Sequence, residues 1–197
     1  MNKKDVREFF DSLADSWDDN MIKSQWKIDK IFDISEVTPG KKILDVACGT
    51  GVLIPDYINR RVSKCVAVDI SEKMTEIAKS KFGKYKNIEF LCADAEYEKF
   101  EDEFDCVIIY NAFPHFINPV KLFENLSECL KQGGRITIAH GMSREALIRH
   151  HSGSAEKVST ILPEADSLAE MMSTYFEIDT RISDDELYIV SGEKIDM

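Results

Sequence analysis

The chain has 197 residues, of which 44% are hydrophobic and 31% are charged, and its formal net charge is −11. This composition is typical of one globular domain with a sizeable core, and so acidic a surface repels the phosphate backbone of nucleic acids. No apolar run reaches the roughly 18 residues that cross a bilayer. We therefore expect a single domain over residues 1–197, with no nucleic-acid partner and no membrane span.

The five cysteines form an odd count without any CxxC spacing. Cys65, Cys92 and Cys106 lie inside apolar, strand-like runs, where cysteine behaves as a small hydrophobic residue. The first residues carry a little positive charge but no apolar segment of a secretory signal. We expect a cytoplasmic protein without a structural zinc or a disulfide framework.

The chain begins with two segments in which apolar residues recur at helical intervals. They contain Val6, Phe9, Phe10, Leu13 and Trp17, and then Ile22, Trp26, Ile31 and Phe32. We expect residues 1–37 to form a helical cap that packs across the sheet or covers its mouth.

From residue 41 onward, short apolar runs alternate with segments of helical period. The predicted strands are Lys42–Val46, Lys64–Ile70, Ile88–Cys92, Phe104–Tyr110 and Arg135–His140. Ser71 is a predicted N-cap, as is Asn118 before Pro119, and Gly133-Gly134 is expected to end the second of these helices. Strands that alternate with helices predict a parallel sheet covered on both faces.

The last part of the chain has a different order of predicted elements. A short helix is predicted after Ser143, within residues 141–163, which we expect to be a segment on the substrate side. The next elements are a helix at Glu164–Thr174 and strands at Tyr175–Ile182 and Leu187–Ser191. The polar turn between these strands predicts a hairpin, so the last strand should run antiparallel to its neighbours.

The first predicted strand runs into the turn DVACGTG, residues 45–51. Gly49 and Gly51 permit positive φ angles and close backbone approach, and amides at a helix N-terminus favour an anion. A dinucleotide fingerprint would need a third glycine where Ile54 stands, and the Lys-Ser/Thr pair of a P-loop is missing. A carboxylate on the amides and an ammonium group near Asp45 together describe the end of an amino acid.

Acidic residues follow the next two strands. Asp69 closes the second strand, where a carboxylate can accept both hydroxyls of a ribose. After the third strand, Asp94 can accept from an exocyclic amine, and the amide of Ala95 can donate to a ring nitrogen. An amino acid end, a ribose and an adenine without phosphate describe S-adenosylmethionine, which we predict as the ligand.

The segments DVACGTG, VAVDIS, CADAE, FDCVIIYNAFPHF and LKQGGRITIAHG resemble the successive motifs of class I S-adenosylmethionine-dependent methyltransferases. The resemblance extends from about Lys41 to the end, and the front, VREFFDSLADSWDD, is similar to that of ubiquinone and menaquinone C-methyltransferases. It implies a Rossmann-like, doubly wound α/β fold with a mostly parallel seven-stranded sheet of order 3-2-1-4-5-7-6 and strand 7 antiparallel. The core then spans 41–197 behind N-terminal helices. One departure is Ala47, where many members have glycine.

The resemblance also implies methyl transfer to a small molecule by in-line displacement, with S-adenosylhomocysteine as the product. On the family pattern, Asp45, Gly49 and Gly51 map to the methionine end of the donor, Asp69 to the ribose, and Asp94 with Ala95 to the adenine. The predicted cofactor-binding residues are Trp17, Asp45, Ala47, Cys48, Gly49, Thr50, Gly51, Asp69, Ile70, Met74, Asp94, Ala95, Asn111 and Ala112.

Two histidines are candidate catalytic bases. His115, in NAFPHF, and His140, at the end of the fifth strand, should open toward the mouth of the sheet, and histidine titrates near neutral pH. The alternatives are a packing role for His115 and a helix-end role for His150 and His151. A metal shared by His140, His150 and His151 matches no standard ligand spacing, so no metal is predicted.

Two further functions remain open from the sequence. A nicotinamide oxidoreductase could use the same sheet and Asp69, although Ile54 argues against it. A protein that senses the donor without transferring methyl is suggested by the absence of a certain base. A nucleic-acid amino-methyltransferase is disfavoured because residues 111–114 read NAFP instead of Asn/Asp-Pro-Pro-aromatic.

Overall fold

A seven-stranded sheet organises the computed structural model, which describes residues 1–19, 21–101, 103–153 and 155–196, without the side chain of His151. Its order is β3-β2-β1-β4-β5-β7-β6. Pairs among β1 to β5 are parallel, whereas β7 runs antiparallel to β5 and β6, which confirms the predicted fold. The strands are β1 (Lys42–Val46), β2 (Lys64–Asp69), β3 (Ile88–Cys92), β4 (Phe104–Tyr110), β5 (Leu130–His140), β6 (Phe176–Ser183) and β7 (Tyr188–Lys194).

Helices connect and cover these strands. They are α1 (Lys3–Leu13), α2 (Gln25–Ile34), α3 (Ile54–Asn59), α4 (Glu72–Phe82), α5 (Pro119–Cys129), α6 (Arg144–His151) and α7 (Ala165–Met172). Short 3-10 turns lie at Ala14–Ser16, Phe113–His115 and Glu156–Val158. Among the helices described, none is both long and apolar enough to cross a membrane.

Side-chain caps set the first turns of α4 and α5. The Ser71 hydroxyl accepts a hydrogen bond from the Met74 amide at 3.1 Å. The Asn118 side chain accepts one from the Lys121 amide at 3.1 Å, and Pro119 takes the first helical position. Both caps satisfy amides that lack a partner within their helix, as predicted.

Successive strand residues alternate between two buried layers, because side chains of a strand point to opposite faces of the sheet. Leu44 and Val107 belong to the layer that includes residues of α5 and α7. Ile43 and Ile108 belong to the layer that includes residues of α2 and α3. The sheet is thus covered on both faces, and ligands reach it at the carboxyl ends of its strands.

The prediction for β5 was wrong at its start. The strand begins at Leu130, and α5 ends at Cys129, before Gly133-Gly134. Leu130 pairs with Phe104, after which the register shifts, and Gly133 has a φ of +68° within this irregular stretch. The two glycines accommodate an irregularity of the strand, a role that a glycine pair also signals in sequence.

The terminal hairpin closes as predicted. One Asp184 carboxylate oxygen accepts hydrogen bonds from the amides of Glu186 and Leu187, each at 2.8 Å. The Asp184 amide donates to the Leu187 carbonyl at 3.0 Å. This local bonding turns the chain and places β7 between β5 and β6.

Candidate functional site

A cavity of about 460 Å³ lies at the carboxyl edge of the sheet. One wall comes from the residues that follow β1, β2, β3 and β4, and the opposite wall comes from α1 and the turn after it. Its volume is within the range of about 300–1,000 Å³ that small-molecule sites occupy.

The loop after β1 owes its shape to left-handed backbone conformations. Ala47, Gly49 and Gly51 have φ angles of 57°, 55° and 89°. A Cβ on Gly51 would lie 2.8 Å from Ile54 Cδ1 and 2.9 Å from Phe82 Cε2, so any larger residue there would force these side chains to shift. At Ala47 the left-handed φ angle costs about 1 kcal/mol of conformational free energy. Glycine has no Cβ and avoids this cost, so it also suits this position.

Asp69 ties this loop to the end of β2. Its Oδ2 accepts a hydrogen bond from the Gly49 amide and its Oδ1 accepts one from the Ser71 amide, each at 2.8 Å. Burial raises the pKa of Asp69 to about 6, against the lowering effect of these two hydrogen bonds, and nearby Asp11 adds to the increase. Asp69 also lines the cavity, so one carboxylate both shapes the loop and faces the space where a ligand would bind.

Asp45 lies deeper, with 2% of its surface exposed. Burial raises its pKa to about 7, the Tyr57 hydroxyl lowers it, and the charge of Asp69 raises it further. Its Oδ2 has no hydrogen-bond partner among the residues that the structure describes. Buried polar atoms are normally hydrogen-bonded, so this oxygen is an exception at the base of the loop.

The loop after β3 carries Asp94 and Ala95, both on the cavity wall. Asp94 Oδ1 accepts a hydrogen bond from the Glu96 amide at 3.1 Å, and its Oδ2 forms an ion pair with Lys3. The Asn125 side chain donates to the Ala95 carbonyl at 2.9 Å. These bonds hold the loop in a defined position beside the cavity.

The end of β4 brings Asn111 and Ala112 to the same cavity. Asn111 has a φ of 54°, and its side-chain oxygen accepts a hydrogen bond from the Gly141 amide at 2.9 Å. Trp17 lies on the opposite wall, where its Nε1 would be 3.8 Å from a Cβ on Gly49. The turn therefore approaches the Trp17 ring without a side chain between them.

His115 faces the cavity with its ring held from two sides. Its Nδ1 lies 2.8 Å from the Val158 carbonyl oxygen, and its ring meets Phe10 edge to face at 4.9 Å between centroids. Because a carbonyl only accepts, Nδ1 carries the hydrogen, and Nε2 is the basic nitrogen of the neutral ring.

Most of the predicted site residues converge on this cavity. The predicted residues that line it are Trp17, Ala47, Cys48, Gly49, Thr50, Asp69, Ile70, Met74, Asp94, Ala95, Asn111, Ala112 and His115. The described cavity wall does not include Asp45, Gly51 or His140. Asp45 is buried within β1, and Gly51 lies beside the side chains of Ile54 and Phe82.

His140 lies apart from the other candidate base. It is fully buried, and its ring packs 5.9 Å from that of Tyr188. His150 lines the cavity from the end of α6, and the side chain of His151 lies outside the described residues. Of the two candidate bases, His115 therefore reaches the cavity and His140 does not.

Several wall residues were not predicted as site residues, among them Lys3, Tyr110, Met142 and Leu147. The apolar stripe of α1 signalled a buried helix face but not what that face would cover. No sequence pattern identified Lys3 as a wall residue, because the residues it contacts lie far along the chain.

Comparisons with known proteins agree with this geometry. A family model described as a methyltransferase domain matches residues 44–138. A ubiquinone/menaquinone biosynthesis C-methyltransferase from Ectopseudomonas oleovorans is 33% identical over 144 residues, which cover 67% of this chain and 84% of that protein. A malonyl-[acyl-carrier protein] O-methyltransferase from Ilyobacter polytropus is 28% identical and covers 99% of this chain and 74% of its own length.

A solved structure shares the fold at low identity. The N-methyltransferase NodS from Bradyrhizobium japonicum, in complex with S-adenosylhomocysteine, matches with a TM-score of 0.75 over 100% of both chains at 9% identity. The chain spans only 52% and 58% of the length of two other curated relatives. The sheet order, the glycine loop and these matches lead to one conclusion: the chain belongs to the class I S-adenosylmethionine-dependent methyltransferases, and it is similar to the ubiquinone/menaquinone C-methyltransferases.

Proposed function

We propose that the protein transfers a methyl group from S-adenosylmethionine to a small-molecule acceptor by in-line displacement. The observation that carries this proposal is one cavity that joins the glycine loop, Asp69 and Asp94 to an apolar region beside His115. When bound, S-adenosylmethionine supplies an activated methyl group on a sulfonium. The protein contributes alignment and exclusion of water, which lower a barrier by up to about 7–11 kcal/mol in favourable cases.

Three parts of the wall would hold the donor. The loop of residues 45–51, which begins at the buried Asp45, would hold the methionine end. Asp69 would accept hydrogen bonds from the ribose hydroxyls. Asp94 and the amide of Ala95 would bind the edge of the adenine. The charge and position of these groups support the assignment, since each lies at or just beyond the carboxyl end of one of the neighbouring strands β1, β2 and β3.

The remaining wall would hold the acceptor. Phe116, Met142 and Leu147 give it an apolar character, while the acidic lining residues Asp69, Asp94 and Glu96 lie on the donor side. An apolar, partly enclosed region suits a small organic molecule better than a polyanion, as does the net charge of −11.

His115 would act as a general base when the acceptor must lose a proton. The Val158 carbonyl sets the tautomer in which Nε2 can accept that proton, and Phe10 holds the ring from the side. His140 is not retained in this role because it lies outside the described cavity wall. We also propose a cytoplasmic location, which the five free cysteines support.

Two measurements test the proposal. Isothermal titration should show micromolar binding of S-adenosylmethionine and S-adenosylhomocysteine, and tighter binding of NAD would favour an oxidoreductase instead. Methyl-labelled donor, incubated with the protein and a fractionated metabolite extract, should place label in a small molecule identified by mass spectrometry. Label in protein or nucleic acid alone would contradict the acceptor class. Donor binding without any labelled product would favour a sensing protein.

A further inference from the structure

The first turn of α1 is fastened to the loop after β3 through a single side chain. The Lys3 ammonium forms ion pairs with Asp94 and, at 2.7 Å, with Glu96, and it lies 4.3 Å from the centre of the Tyr97 ring. The Lys3 side chain keeps only 28% of its surface exposed, and that of Glu96 keeps 2%. Lys3 therefore meets three residues of one loop.

Glu96 is fixed independently of Lys3. Its Oε1 accepts hydrogen bonds from the amides of Ile117 and Asn118, at 2.7 and 3.1 Å. Its Oε2 faces Lys3 and is the oxygen of the ion pair. A buried carboxylate needs a compensating charge, and Lys3 supplies it from another part of the chain.

The same ammonium contacts Oδ2 of Asp94, a residue that lines the part of the cavity assigned to adenine. A carboxylate oxygen has two lone pairs, so Asp94 can accept from Lys3 and from an adenine amine together. Because Glu96 is its second partner, the Lys3 ammonium stays in place when a ligand donates a hydrogen bond to Asp94. The contact can therefore persist over an occupied cavity.

The opposite part of α1 contacts the proposed base. Phe10 lies two helical turns from Lys3, and its ring meets His115 at 4.9 Å. The next residue of α1, Asp11, accepts a hydrogen bond from the Ser71 hydroxyl at 2.6 Å, at the start of α4. A rigid helix that is anchored at Lys3 and Asp11 holds Phe10 at a fixed place on the cavity wall.

We propose that Lys3 is a positioning residue: by bridging Asp94 and Glu96 it holds α1 over the adenine end of the cavity and keeps Phe10 against His115. The inference rests on the proposed function, because it takes this cavity as the donor site. It adds that donor binding and the position of the His115 ring depend on the same helix, α1.

Lys3→Met tests the bridge, with Lys4→Met as the matched control. Lys4 is the next residue of α1, its side chain is 79% exposed, and its ion pair with Glu8 spans 3.6 Å within the helix. We expect Lys3→Met to raise the dissociation constant of S-adenosylhomocysteine at least fivefold and to lower kcat as well. Lys3→Arg should restore both values to within twofold of wild type, and Lys4→Met should leave both unchanged.

A double-mutant cycle assigns the effect to the pair. Glu96→Gln keeps the acceptor for the two amides but removes the charge that faces Lys3. It should weaken S-adenosylhomocysteine binding about as much as Lys3→Met, and the double variant should be no weaker than either single one. Additive losses would overturn the bridge.

The outcomes separate the two proposals, since binding of S-adenosylhomocysteine needs no acceptor. Wild-type protein that fails to bind it would refute the proposed function. Wild-type protein that binds it, together with Lys3→Met protein of equal or higher affinity, would refute only the positioning role of Lys3.

Discussion

The carboxylate of Asp69 and the amide of Gly49 are joined by a 2.8 Å hydrogen bond that links the end of β2 to the loop after β1. The bond orients the loop backbone at the point where it faces the cavity. Because Asp69 also accepts from Ser71, its two oxygens are held in a fixed plane before any ligand arrives. Preorganisation of this kind reduces the entropy that a ligand must overcome on binding.

Asp69→Ala should weaken S-adenosylhomocysteine binding by about tenfold to a hundredfold, the range for lost hydrogen bonds to a charged acceptor. Isothermal titration measures the change. Asp166→Ala is a control, because that side chain is 95% exposed on α7. Unchanged affinity in Asp69→Ala would show that the ribose lies elsewhere.

The affinity for S-adenosylhomocysteine should rise as the pH rises from 5 to 6.5. The pKa of Asp69 is raised to about 6, so part of the protein carries a neutral carboxyl in this range. Ribose hydroxyls donate to the ionised form, which lowers the pKa on binding and favours binding above pH 6. In Asp69→Asn this part of the pH dependence should disappear. A flat profile in the wild type would contradict the assignment.

Asp45 should make the protein lose stability as the pH rises from about 4 to about 7. Its pKa is raised from 3.8 to about 7, so its favourable contribution is fully present below pH 3.8 and is lost as the pH rises through 7. The slope approaches about 1.4 kcal/mol per pH unit within that window. Urea denaturation should therefore show the free energy of unfolding of Asp45→Asn rising relative to that of the wild type between pH 5 and 8, by about 2–3 kcal/mol. Parallel pH profiles would be the contrary result.

Gly51→Ala should destabilise the fold more than Gly40→Ala. Both glycines have left-handed φ angles, 89° and 85°, so both substitutions carry about 1 kcal/mol of backbone strain. Only at Gly51 does the new Cβ meet packed side chains, at 2.8 and 2.9 Å, whereas no atom lies within 4 Å at Gly40. Overpacking adds about 1–3 kcal/mol. Thermal and urea unfolding compare the two variants, and equal losses would count against the packing argument.

His115→Gln should lower kcat by about a hundredfold or more, since general base catalysis contributes about 10²–10⁴. Glutamine can still donate to the Val158 carbonyl, but it cannot accept a proton near neutral pH. The dissociation constant of S-adenosylhomocysteine should stay within twofold, which serves as the internal control. If kcat of His115→Gln is within threefold of the wild-type value, His115 is not a general base and has only a packing role.

The sequence alone predicted the alternation of strands and helices and most of the candidate site residues that line the cavity. Strand period, the Ser71 and Asn118 caps and the Asp184 turn depend on neighbours in the chain, so they can be read without a structure. The loop 45–51 and Asp69 could be placed together because carboxyl ends of parallel strands meet at one edge. Local signals failed at Gly133-Gly134, where a strand irregularity and a helix end look alike.

The tertiary structure alone decided which residues close the cavity. Lys3 and Asp94 are 91 residues apart in the chain, and no local pattern links them. His115 and His140 had equal standing in sequence, but packing buries His140 and turns His115 toward the cavity. The reason is physical: periodicity and capping are set by neighbouring residues, whereas the facing of side chains across a cavity depends on how distant elements pack.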